Sequence, residues 1–235
     1  ERGRGNISCK FQGKTKTMLP FTQEQFFSVF RDYNAAIWPA SIFAYGLGIM
    51  ALVAMLQPHP HWSKITASIL AVMWVWTGVA YHGIFFSTIN SAALLFAALF
   101  VTQAVLFIYF GLVRDLLQFG KIQGFRALIG WTFIAYAAIA YPFLGIAAGR
   151  GYGELPQFGI APCPVAIFTV GVLLLARLPF PRTLFVIPFL WSLIGGSAAI
   201  LLAIPQDWLL LVSGVMTGAV LHFFRSAAKT SNLRD

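Results

Sequence analysis

Seven apolar runs, each near the ~20 residues a helix needs to cross a bilayer, follow one another along the chain. They cover about residues 35–57, 64–86, 90–113, 126–147, 162–178, 182–203 and 207–225. Proline turns separate several of them, at Gln57-Pro-His-Pro-His61, at Arg177-Leu-Pro-Phe-Pro-Arg182 and at Ile204-Pro-Gln-Asp207. Ser87-Thr88-Ile89-Asn90, between the second and third runs, reads as a turn or a polar kink. Ahead of the first run, Phe26, Phe27, Phe30 and Tyr33 share one helical face, opposite Gln23, Ser28 and Asp32. Thr22 and Gln25 have the spacing of a capping box, with Glu24 in the first turn and Phe21 and Phe26 placed as a hydrophobic staple. This stretch is either a short amphipathic helix lying in a membrane interface or the first turns of a longer helix one. The pattern predicts an all-α fold: a polytopic membrane bundle of seven transmembrane helices with a short N-terminal interfacial amphipathic helix.

Composition turns that pattern into a class. Hydrophobic residues make up 59% and charged residues 10% of the chain, against roughly 45–50% and about 25% in a soluble domain. With a mean hydropathy of +0.78, the expectation is an integral membrane protein, its first partner the lipid bilayer. A net charge of +9 would suggest nucleic acid in a soluble protein. Here the basic residues stand at segment ends and termini, which suits anionic lipid and topology instead. Counted from Met18, one side of the seven-span topology carries Arg31 and Arg150, and the other carries nine Lys and Arg. That asymmetry places the N-terminus outside and the C-terminus in the cytoplasm of a plasma (inner) membrane. Residues 1–17 are polar and basic without an apolar core, so they read as a disordered leader or upstream sequence, with a single bundle from 18 to 235.

The chemistry concentrates in Trp74–Asn90. On an α-helix Trp74, Gly78, Tyr81, His82, Phe85 and Ile89 fall on one face, with Gly78 leaving a gap that ends at an imidazole. A histidine at membrane depth needs a partner or a cavity, so His82 is either part of a site or bonded to a backbone carbonyl or Tyr141. The topology brings His82, Asn90, Glu154, Cys163 and Asp207 to the outer ends of helices. Glu154 lies in a glycine-rich loop, Gly149–Gly159, and either pairs with Arg150 or faces His82. Cys163 opens the fifth run between two prolines, as a nucleophile or simply as helix-start chemistry. Asp207 reads as an N-cap. Pro188, Trp191 and the Gly195-Gly196-Ser197 run read as a close-packing or kinked helix.

Several functions are excluded or unsupported. No lysine lies inside a span, which excludes a retinal Schiff base, and there is no Walker loop, zincin motif or haem-attachment motif. Cys9 and Cys163 give neither a disulfide framework nor metal-ligand spacing. His82 and His222 lie toward opposite faces, which argues against a single bis-histidine haem. No cofactor or metal is expected.

The combination of Leu19-Pro-Phe-Thr22, Tyr33-Asn34 with Trp38-Pro39, Trp76-Thr-Gly with Tyr81-His82, Tyr141-Pro142, Phe158-Gly159 with Pro162-Cys163-Pro164, Phe168-Thr169, and Pro188 with Trp191 resembles a known family. It is an uncharacterised family of bacterial multi-pass membrane proteins, a domain of unknown function, matching from Met18 to about Val212. The resemblance implies that residues 1–17 lie outside the module, and it carries no activity or ligand with it. The functional expectation is therefore small-molecule or ion handling, by a transporter, channel or sensor. Its outward cavity would be lined by His82, Tyr81, Trp74, Asn90, Tyr141, Glu154 and Cys163. The alternatives are an intramembrane enzyme using His82, Glu154 and Cys163, or a non-catalytic accessory subunit.

Overall fold

The computed structural model describes residues 19–231, and side chains as far as residue 220. The expectations for residues 1–17 and for the His222 side chain lie outside the described residues. Among the described residues there are eight helices and no strand: α1 Gln23–Ala36, α2 Ala40–Met55, α3 Pro60–Thr88, α4 Ala93–Val113, α5 Phe125–Ala147, α6 Pro162–Leu174, α7 Arg182–Leu201 and α8 Trp208–Ser231. An isolated antiparallel bridge joins Phe119 to Ala176.

Local sequence explains where several of these helices begin. At the start of α1 the Gln25 amide donates to Thr22 Oγ1 at 3.2 Å, and the Thr22 amide donates to Gln25 Oε1 at 2.8 Å. Two otherwise orphaned amides are satisfied together. The staple closes with the Phe21 and Phe26 rings 6.2 Å apart. Pro60 occupies the first turn of α3, where its missing N–H costs nothing, and His59 Nδ1 accepts from the His61 amide. The apolar face of α1 is spent on the protein itself: Phe30 stacks on Tyr81, and Phe21 and Phe26 pack edge-on against Phe86.

Four helices (α3, α4, α5 and α7), not seven, are long and apolar enough to cross a membrane among the described residues. They become five if α1 and α2, bent 85° at residues 37–39, form one broken span. The reasons are local. α2 alone has 16 residues. α6 has 13 residues, about 20 Å of helix against a hydrocarbon core of about 30 Å. It stops because Leu175 and Ala176 turn back on Val172 and Leu173, and the next amide, Arg177, donates to Gln118 O at 2.7 Å. The side chains of α8 are described only in its first half.

All 13 residues of α6 are buried, so it is the pillar on which α3, α5, α7 and α8 lean. Glycines set the α5–α6 crossing. A methyl added at Gly171 would stand 2.7 Å from Gly130 O, and one at Gly130 would stand 2.9 Å from Gly171 O. Both obstacles are helix backbone and cannot swing aside. Gly171→Ala should therefore cost about 1–3 kcal/mol by overpacking, measured by unfolding in detergent. Gly46→Ala, with nothing within 4 Å, should instead be neutral or gain up to about 1 kcal/mol from helix propensity.

Candidate functional site

The site begins with a change of helical period. α3 is α-helical to Trp76, widens into a π-helix over Thr77–Phe85, and closes in a tight turn at Phe86–Thr88. A π turn holds an extra residue, so side chains on one face of an α-helix are fanned apart. Trp74 and His82 both pack on Phe100, but only His82 lines the cavity described below. The Trp74 indole donates to Thr169 Oγ1 on α6 at 2.8 Å and packs on Phe100 at 4.4 Å. Tyr81 turns toward α1, between Phe30 and Tyr33. His82 turns toward α4 and α7.

His82 is fully buried among the rings of Phe100 (4.7 Å), Trp191 (5.0 Å), Tyr81 (5.1 Å), Phe96 (5.8 Å) and Phe86 (6.0 Å). Among the described residues neither His82 Nδ1 nor Nε2 has a hydrogen-bond partner, nor has Tyr81 Oη, and Trp191 Nε1, beside the weakly accepting Cys163 sulfur, has no nitrogen or oxygen partner. Buried polar atoms are nearly always paired. Here four without a nitrogen or oxygen partner belong to three neighbouring side chains, and all three line a single cavity of about 150 Å³.

Five helices and the segments between them build that cavity. α3 supplies Tyr81, His82 and Phe86; α4 supplies Phe96; α7 supplies Trp191, Gly195, Ala198 and Ala199; the start of α6 supplies Cys163. α1 and the residues before it contribute Leu19, Phe21 and Phe26, and Asp207 lines it as well. Asn90 also lines it, while its Oδ1 accepts from the Ala92 amide at 3.1 Å and so shapes the turn into α4.

The Asp207 carboxylate is buried and accepts a hydrogen bond from the Tyr141 hydroxyl. The N-cap expected of it is not what the side chain does: it is turned toward α5. Tyr136, one π turn before Tyr141, donates to Gln206 O at 2.7 Å, so two tyrosines of α5 fix the Pro205–Asp207 turn. The Cys163 thiol sits within hydrogen-bonding reach of the Asp207 carboxylate, the Tyr141 hydroxyl and the Trp191 indole. No group of three His, Cys, Asp or Glu among the described residues is placed to hold a metal ion.

Of the residues singled out from the sequence, the structure thus brings His82, Tyr81, Asn90 and Cys163 to one cavity, with Tyr141 behind its wall. Trp74 and Glu154 are elsewhere. Glu154 pairs with Arg31, and Arg150 bridges Glu24 at 3.4 Å and Glu154 at 4.0 Å, in a solvent-exposed cluster that ties α1 to the glycine-rich loop. The Arg150 guanidinium also lies 4.0 Å over the Phe27 ring, and Asn34 Nδ2 donates to Gly153 O and Leu155 O.

The sequence reads Trp191 as part of a close-packing or kinked helix and Asp207 as an N-cap, and both line the cavity. Trp191, Gly195, Ala198 and Leu202 stand at i, i+4, i+7 and i+11, an aromatic residue followed by a gap on one helical face. This is the same signal that drew attention to Trp74 and Gly78. The small residues were read as packing, yet here they leave space.

A model of a family of unknown function (DUF6064) matches residues 23–233. No curated protein and no solved structure matches the chain.

Proposed function

Since the chain belongs to the DUF6064 family, whose function is unknown, its activity has to come from its own chemistry, and we propose an integral membrane protein that binds a small molecule in the His82 cavity. The membrane part rests on exposed apolar surface. α4 has a mean hydropathy of 2.3, yet only 28% of its window is covered by the rest of the chain. Such a face in water would be a large contiguous apolar patch; in lipid it is ordinary. The charge asymmetry supports an N-terminus outside and a multi-pass topology in a bacterial plasma membrane, with seven crossings if α2, α6 and α8 each count.

The observation that carries the binding role is the set of unpaired atoms at His82, Tyr81 and Trp191 beside open space. An unsatisfied buried polar group costs about 1–3 kcal/mol, and three such side chains side by side form a poor packing solution but a ready-made set of ligand contacts. Mostly apolar walls with a few convergent polar groups are what small-molecule sites look like. α1 forms the cover. It is held by ion pairs at its outer face, by buried hydrogen bonds from Asn34 and Tyr33 to Leu155 O and Ile160 O and by the stacking of Phe30 on Tyr81, and it meets α2 at a sharp bend.

A cavity of about 150 Å³ is in the size range that accepts benzene in other proteins. Indole titrated into purified protein in nanodiscs and followed by calorimetry should bind, and Ala198→Phe, which fills the space beneath α1, should abolish binding while the protein stays folded. Unaltered indole binding in folded Ala198→Phe would place the binding elsewhere and remove the cavity from the account.

A further inference from the structure

The geometry points to a small organic ammonium ion bearing a hydrogen-bonding oxygen as the ligand class of this cavity, with Asp207 as its counter-ion. The inference rests on the cavity being a binding site and adds the charge and chemistry of what enters it.

The first observation is an acid without a cation. Asp207 is buried, its carboxylate accepts from the Tyr141 hydroxyl and has the Cys163 thiol beside it, and no Lys, Arg or His ion pair reaches it among the described residues. The N-terminus of α8 beside it offers roughly half an elementary charge, which leaves part of the carboxylate charge uncompensated. Buried acids are normally paired with a cation or a metal. The exposed Arg31, Arg150 and Glu24 cluster shows that arginines on this side of the molecule are engaged elsewhere.

The second observation is the wall. Phe21, Phe26, Phe86, Phe96 and Trp191 line the same space, while the Tyr81 ring is stacked between Phe30 and Phe86 and brings its hydroxyl instead. Ring faces carry negative potential and attract weakly hydrated cations, most strongly when water is excluded. A bare metal ion is disfavoured, because it would need several hard ligands and no such group exists among the described residues. An anion is disfavoured by Asp207 itself. What remains is a cation with dispersed charge and apolar substituents.

The third observation fixes the other end of the ligand. Trp191 Nε1 is a donor only, Tyr81 Oη can donate or accept, and neutral His82 offers one of each. Together they suit a hydroxyl or carbonyl oxygen. An amino alcohol or a related ammonium compound meets both requirements within one small volume.

Choline and its uncharged isostere 3,3-dimethylbutan-1-ol separate the charge from the shape. Calorimetry in nanodiscs should show choline binding about tenfold or more tightly than the isostere, with choline displaced by indole. Asp207→Asn should remove that preference and leave the isostere unaffected. Should Asp207→Asn fail to fold, Trp191→Leu should reduce the preference at least about threefold and Trp191→Phe should keep it, since only the latter retains a ring. Equal affinities of the wild type for the two compounds would overturn the inference. So would indole binding without choline binding, which leaves the cavity standing as a site for neutral ligands. Failure of indole, choline and the isostere alike would remove both readings.

Discussion

His82→Phe should make the protein more stable, by about 1–3 kcal/mol, and impair ligand binding. Phenylalanine keeps a flat ring among Phe86, Phe96, Phe100, Tyr81 and Trp191. It also removes two buried nitrogens that have no partner. Swapping an unsatisfied polar group for an apolar one of similar shape recovers its desolvation cost, whereas swapping a bonded one does not. The sign of the stability change therefore reports on the role. Reversible unfolding of the empty protein should shift upward, while calorimetry with a hydrogen-bonding ligand shows weaker binding. A loss of stability would mean that the imidazole holds the helices together, and the binding role would go with it.

Trp74→Ala should have the opposite profile. The indole is fully buried against Phe100, and its Nε1 donates to Thr169 on the central α6. Truncating a core tryptophan costs about 3–5 kcal/mol. Here it also strands the Thr169 hydroxyl as an unpaired group in the fully buried α6. The loss should appear as a large drop in unfolding midpoint, with the ligand affinity of the folded fraction unchanged because Trp74 lines none of the cavity. Trp74→Phe should recover much of the stability, since it keeps a ring against Phe100 and loses chiefly the hydrogen bond. Altered ligand preference in folded Trp74→Phe would return this residue to the site.

The contrast between these two residues shows what the sequence made legible. Both were placed on one face by counting at the α-helical period, and the π segment over Thr77–Phe85 is what parts them. No local signal announces the π segment; within it Gly78 packs closely on α4, its Cβ position 3.0 Å from Phe100 Cβ and 3.1 Å from Ala97 O. The α1 cap was legible because a capping box lies within four residues and depends on nothing else. The destination of its aromatic face was not: Phe26, Phe30 and Tyr33 read as membrane-facing, while Tyr81 and Phe86 absorb them. Glu154 reads as pairing with Arg150 or facing His82; it does pair with Arg150 at 4.0 Å, and its shorter contact is to Arg31, 123 residues away along the chain and so beyond local patterning. Asp207 was hidden by its position, since an acid before a helix is usually a cap. α6 reads as a span by composition, because a helix buried in protein and one buried in lipid are apolar for the same reason. Length separates them.

The central claim is that the space beside His82 is a binding site and not a packing fault. The most direct measurement is a density map of the protein isolated in its own lipids, at a resolution that shows side-chain hydrogen bonds. The account predicts density that is not protein between Trp191 and Asp207, within hydrogen-bond distance of a His82 nitrogen or the Tyr81 hydroxyl. A map in which the walls close on one another and protein groups satisfy both His82 nitrogens would contradict it.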